Sequence, residues 1–167
     1  MNFRCLKAAD PSLIEAAFTG IGWSKPAEQY ERYLAEQQAG RGLVLVSDVD
    51  GEFAGYVTLN WYPSYPPFQE AGIPTIQDLN VLPRFRRRGI GGALIRAAEG
   101  AAGERSEVVG IGVGLGPDYA AAQRLCVRLG YVPHGRGVAY DDRLVGRGEH
   151  VVVDDDLVLH FTKRLAA

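Results

Sequence analysis

The chain has 167 residues, 47% hydrophobic and 23% charged, with a formal net charge of −2. That length suits one domain with a buried core, and the balanced charge argues against a general nucleic-acid binder. Cys5 and Cys126 are too few and too far apart for a disulfide framework or a metal site, and no apolar run approaches the ~20 residues that cross a bilayer. The expectation is one domain over 1–167, cytoplasmic, without metal, signal peptide, membrane or nucleic-acid partner.

In chain order, Phe3 to Lys7 reads as a short strand. Asp10-Pro11 reads as a helix start, with Asp10 as cap, and Leu13, Ile14, Ala17 and Phe18 supply its apolar face. A second helix follows Lys25-Pro26, with Tyr30, Tyr33 and Leu34 on one side. Leu43 to Asp48 and Phe53 to Trp61 read as strands joined by an Asp50-Gly51 hairpin. Tyr62 to Pro74 reads as a loop rich in proline and aromatics. Thr75 to Leu82 is the next strand, and its helix begins at Ile90. Glu107 to Leu115 is a strand whose alternating glycines mark close approach by a neighbour. Pro117-Asp118 opens a helix that Gly130 ends. Tyr131 to Arg136 and Asp156 to Lys163 are the last strands, joined by the polar segment Gly137 to Asp155. This order predicts an α/β domain with a mixed sheet.

The densest signal is Arg84-Phe85-Arg86-Arg87-Arg88-Gly89-Ile90-Gly91-Gly92, between that strand and its helix. Glycines let the backbone approach an anion, and the first helical N–H groups point at it. Two nucleotide motifs fail here. No Gly-x-x-x-x-Gly-Lys-Ser/Thr string exists, and Gly89-x-Gly91 is followed by Leu94 where a dinucleotide fingerprint needs glycine.

What remains, Arg86-x-x-Gly89-x-Gly91, resembles the acyl-coenzyme A pyrophosphate loop of the GNAT acyltransferase superfamily. Its flanks resemble that family too: Asp78-Leu79-Asn80-Val81-Leu82-Pro83 before it, and Ala122-Gln123-Arg124-Leu125-Cys126-Val127-Arg128-Leu129-Gly130-Tyr131 further on. The resemblance implies a central, mixed, largely antiparallel sheet of about six or seven strands, flanked by about four helices, with a splayed cleft between strands four and five.

It also implies acetyl-CoA as co-substrate. The pyrophosphate would meet the backbone of residues 87 to 92, covering Gly89, Ile90, Gly91 and Gly92, with charge from Arg86, Arg87 and Arg88. The pantetheine arm would pair with backbone at Leu79, Asn80 and Val81. The expected acceptor is a primary amine of a small molecule. A protein N-terminus or lysine, or a non-catalytic acyl-CoA sensor, are the alternatives. Dimerisation is common in the family.

For direct transfer, Asp78 is the candidate base by its place on the cleft strand. Cys126 stands where the family's acid is commonly tyrosine. A small buried core thiol is its competing reading. Tyr119, seven residues earlier and expected on the same helix face, and Tyr131 are the other hydroxyl candidates. The Trp61 to Phe68 segment is expected to give the acceptor an aromatic wall or to pack on itself. The acidic residues Asp141, Asp142, Glu149, Asp154, Asp155 and Asp156 either attract a cationic amine or make turns. His134, His150 and His160 lack metal spacing and read as surface or satisfied core residues.

Overall fold

The computed structural model describes residues 2–166. Contacts divide the chain into two compact units, one formed by the residues up to Asn60 with Gln77–Gly100, the other by Trp61–Ile76 with Ala101 onward. The first unit holds β1 (Asn2–Cys5), α1 (Asp10–Thr19), α2 (Ala27–Gln38), β2 (Gly42–Val49) and β3 (Glu52–Asn60). β4 (Thr75–Val81) begins in the second unit and continues in the first, and α4 (Ile90–Gly103) runs the other way. The second unit adds α3 (Pro66–Ala71), β5 (Val108–Gly114), α5 (Ala120–Arg128), β6 (Val132–Tyr140), β7 (Arg143–Leu144) and β8 (Leu157–Arg164). The strands form one mixed sheet in the order β1-β2-β3-β4-β5-β8-β6-β7, antiparallel except for β4 with β5 in the pairs described. The α/β class is as expected. Among the described residues there are eight strands and five helices, against the expected six or seven and about four.

In the first unit, Asp10 does not cap α1. It is the first helical residue, and its carboxylate is drawn inward by Arg4 at 2.7 and 2.9 Å and by the Lys7 N–H at 2.6 Å. Asp48 takes the other side of the Arg4 guanidinium at 2.7 Å, so a half-buried cation ties β1, β2 and α1. The β2–β3 hairpin forms as expected. Asp50 and Gly51 both have positive φ, 52° and 83°, the twist that a two-residue turn needs, and Val49 faces Glu52 across it.

The second unit explains the alternating glycines of β5. A Cβ on Gly110 would lie 2.2 Å from the Phe68 ring, one on Gly112 2.9 Å from Val158, and one on Gly114 2.5 Å from the Tyr119 ring. Phe68 arrives on α3, inside the segment expected to be loop. Pro66 and Pro67 start this single turn, and Gly72, at φ 65°, ends it. The polar segment after residue 136 is likewise more ordered than expected. β6 continues to Tyr140, and Asp141 and Asp142, with φ of 48° and 60°, turn the chain into β7. Its carboxylates serve the fold: Asp142 accepts from Ser64, Asp154 from Tyr140, Asp155 from Tyr119, and Glu149 pairs with Arg143.

Tyr65 and Phe68 turn inward rather than forming a wall, and they pack on the half-buried His134 and the buried His160. Tyr65 stacks on His160 at 3.6 Å between ring centroids, and Phe68 meets His134 and His160 edge-on at 5.0 and 5.3 Å. His160 is 5% exposed, and its Nδ1 has no hydrogen-bond partner among the described residues. It is thus a core histidine, but not a satisfied one.

Burial pushes the His160 imidazole down to about 4. Asp142 partly opposes this, and His134 adds to it. The unfolded chain, with a histidine near 6.5, therefore binds a proton that the folded chain refuses between about pH 6.5 and 4. Stability should fall across that window by up to about 3 kcal/mol. Melting temperatures measured from pH 7 to 4 should drop more steeply for the wild type than for His160→Phe, which keeps the stack. Parallel curves would show that the imidazole is not the cause.

Candidate active site

β4 is ordinary at its start and irregular in its middle. Thr75 and Ile76 pair in parallel with Gly110 and Ile111, while the strand continues to Val81. Asp78 then takes a left-handed φ of 48°, costly for a residue with a Cβ and typical of a bulge. The neighbouring strand is fitted to this kink. Thr58 Oγ1 donates to the Gln77 carbonyl at 2.9 Å, and the Leu82 N–H donates to the Ala54 carbonyl at 2.9 Å. Gly55 leaves room for it, since a Cβ there would lie 2.4 Å from the Asn80 carbonyl oxygen.

After a 3₁₀ turn at Pro83–Phe85 the chain enters the arginine loop. Arg86 is extended, Arg87 and Gly89 are left-handed with φ of 61° and 79°, and α4 begins at Ile90. Left-handed residues on either side of Arg88 turn successive N–H groups into a concave nest, next to the positive end of a helix. The side chains divide their roles. Arg84 pairs with Glu52 at 3.2 Å and lies over Phe85. Arg86 is turned back, with Nε donating to the Val81 carbonyl at 3.0 Å and the guanidinium 5.4 Å over the Trp23 ring. Arg88 lies over Phe85 at 5.7 Å. Arg87 is the arginine of this loop with no side-chain partner among the described residues.

Asp78 is the hub of the first unit. Oδ1 accepts from Asn80 Nδ2 at 2.8 Å and pairs with Lys25 Nζ at 3.2 Å. Oδ2 accepts from Tyr33 and Tyr56 hydroxyls at 2.8 Å each and from Gln29 Nε2 at 3.0 Å. Tyr30 in turn donates to the Tyr56 hydroxyl at 3.1 Å. Burial pushes the Tyr30 phenol up to about 12 and raises Tyr33 and Tyr56 too, with the Asp78 charge as the next cause for the latter two. These phenols keep their protons at neutral pH, so they donate and Asp78 accepts. Five donors converge on a group with about four lone-pair sites.

The other catalytic candidates belong to the second unit. Cys126 is 1% exposed, and burial pushes its thiol up to about 11. Tyr119 sits in a 3₁₀ turn before α5, not on the helix face expected to carry it with Cys126. Its hydroxyl donates to Asp155 at 2.9 Å, and burial pushes it up to about 12. Tyr131 is buried beneath Lys163, 5.6 Å over its ring. Sequence reasoning missed Lys25, Gln29 and Tyr56. Tyr33 was visible only as one member of an α2 face.

A kinked strand leading through a left-handed arginine–glycine loop to a helix N-terminus is a geometry able to hold an anion. The model of the acetyltransferase (GNAT) family matches residues 11–131, and the chain belongs to that family. The uncharacterized N-acetyltransferase YhfO of Bacillus subtilis (strain 168) is 29% identical over 109 residues, which cover 62% of this chain and 72% of that protein. The mycothiol acetyltransferase of Nocardia farcinica (strain IFM 10152) is 35% identical over 118 residues, 71% of this chain but 34% of that longer protein. Among solved structures, yncA of Salmonella typhimurium, determined with its cofactor acetyl-CoA, shares the fold at a TM-score of 0.70 and 20% identity, covering 100% of this chain and 95% of that one. No helix among the described residues is long and apolar enough to cross a membrane.

Proposed function

We propose that this chain is an N-acetyltransferase that moves an acetyl group from acetyl-CoA to a primary amine of a small molecule. The observation that carries this reading is the nest at Arg87 and Gly89 ahead of α4, fed by the kinked strand β4. Its residues fit the donor. The loop N–H groups and the free Arg87 side chain would hold the pyrophosphate, and the backbone of Leu79, Asn80 and Val81 would receive the pantetheine arm. Bound there, acetyl-CoA supplies an activated thioester carbonyl for direct attack by an amine.

The protein's own groups then position rather than exchange protons. The filled lone pairs of Asp78 and the engaged hydroxyl of Tyr119 leave water as the carrier of the amine's proton in this reading. A hollow of about 180 Å³ in the first unit, lined by Tyr33, Glu36, Arg41, Thr58, Asn60 and Gln77, has the size and polarity for a small acceptor.

Acetyl-CoA at about 100 times its dissociation constant should stabilise the fold by about 2.7 kcal/mol. For a chain of this length that is a melting shift of roughly 5–10 °C. No shift at millimolar acetyl-CoA would remove the donor assignment. Thiol release on adding polyamines, amino acids, aminoglycosides or peptides then identifies the acceptor class, and binding without release for every amine would favour a sensor.

A further inference from the structure

We propose that Lys25 is itself an acetyl acceptor, so that the protein modifies its own α1–α2 segment in cis. The inference rests on acetyl-CoA being the donor, as proposed above. Its ground is the delivery of a primary amine to β4: Lys25 Nζ lies 3.2 Å from Asp78 Oδ1, with 22% of the lysine side chain and 16% of the aspartate exposed. Asp78 directly precedes Leu79–Val81, the stretch assigned to the donor's arm. The segment that carries the amine is fixed on both sides. Pro26 follows Lys25 in an extended conformation, at the start of α2, and restricts the lysine backbone. Trp23 stacks on Phe18 at 5.8 Å and lies beneath the Arg86 guanidinium of the arginine loop. One short connection therefore touches both the cofactor loop and the kinked strand.

The chemistry needs no further reactant. Lys25 gives its extra proton to water, and the neutral Nζ attacks the thioester carbonyl carbon. The new N–C bond forms as the C–S bond breaks, and the attacking nitrogen gives up its second proton, which water carries to the leaving thiolate. The products are Nε-acetyllysine at position 25 and free coenzyme thiol. Acetylation removes the ammonium charge. Asp78 keeps its four neutral donors and loses its one cation, which favours a cationic amine near it.

Three lysines make the test decisive: Lys7, Lys25 and Lys163. Lys7 is exposed, whereas Lys25 is half-buried and ion-paired. Unassisted acetylation in solution therefore favours Lys7, and templated transfer favours Lys25. The full chain is incubated with acetyl-CoA and no added amine, and the peptides are followed by mass spectrometry. Lys25 should be acetylated on the order of ten times faster than Lys7, with a rate constant independent of protein concentration. Lys25 reacting no faster than Lys7, or at a rate that rises with protein concentration, overturns the proposal. In Lys25→Arg, which keeps a cation opposite Asp78, acetyl uptake by the intact protein should fall to the level of Lys7 and Lys163; unchanged uptake also overturns it. Calorimetric titration of acetyl-CoA separates the two readings. Binding with Lys25 unmodified overturns self-acetylation alone, whereas no binding removes the donor assignment as well.

Discussion

Replacing Gly89 with aspartate should weaken acetyl-CoA binding at least a hundredfold, about 2.7 kcal/mol, while the fold persists. Bulk is not the reason, because a Cβ at Gly89 would meet nothing within 4 Å. Two other effects act. The backbone at φ 79° is left-handed, which costs a residue with a Cβ about 1–2 kcal/mol, and less for aspartate than for most. A carboxylate in the nest would also face the phosphates with like charge, in the place where the helix end favours an anion. For the same reason the acid suits the free protein, whose α4 N-terminus gains a negative group. Gly89→Ala separates the effects. It carries only the backbone cost and should lose less affinity than the aspartate variant. Calorimetric titration of both variants, with melting curves as the fold check, measures this. Equal affinity in Gly89→Asp and wild type would place the pyrophosphate elsewhere.

Much of the frame was readable because its signals are local. Asp50-Gly51 specifies its own turn, and Gly130, at φ 87°, ends α5 as its position implied. The glycines at 110, 112 and 114 announced close neighbours; Tyr119 is five residues from Gly114, but Phe68 and Val158 with His160 lie far off in sequence. The errors fall where context outweighs local preference. Pro66-Pro67 reads equally as stiff loop or as the first turn of a helix, and burial of Phe68 decides for the helix. Gly137 read as the start of a loop after a strand ending at Arg136, yet β6 continues past it to Tyr140, held by its antiparallel partner β8 from Val138 onward.

The same distinction governs the candidate site. The arginine–glycine loop lies within a few residues, so spacing alone exposed it. What its four arginines do was not readable, since Glu52, Trp23 and Phe85 claim three of them through folding. The hub at Asp78 was less legible still. Its donors come from positions 25, 29, 33, 56 and 80, which form no motif in sequence. Asp78 was noticed for its strand position and assigned a base's role. Beside that role we propose a second, carried by its five donors, that of an anchor for the kink.

Asp78→Asn tests that role, and it should both unsettle the fold and cut turnover at least tenfold. Asparagine tolerates left-handed φ as well as aspartate does, so the kink itself remains allowed and the change isolates the charge. One face of the new amide must then present N–H groups to donors. Either Lys25 and Asn80, or Tyr33, Tyr56 and Gln29, lose their acceptor. Stranded buried donors cost about 1–3 kcal/mol each where water cannot reach them. Tyr56, fully buried, is the donor least able to find water. A net loss of about 2–3 kcal/mol corresponds to a melting temperature lower by roughly 5–10 °C. Positioning and proton transfer then separate by pH. If Asp78 anchors the kink, the variant's pH–rate profile keeps the wild-type shape at a lower height, with weaker coenzyme binding. If Asp78 is the base, the acidic limb of the profile disappears while coenzyme affinity and melting temperature hold. An unchanged melting temperature would by itself refute the hub, because five donors cannot lose a shared charge without cost.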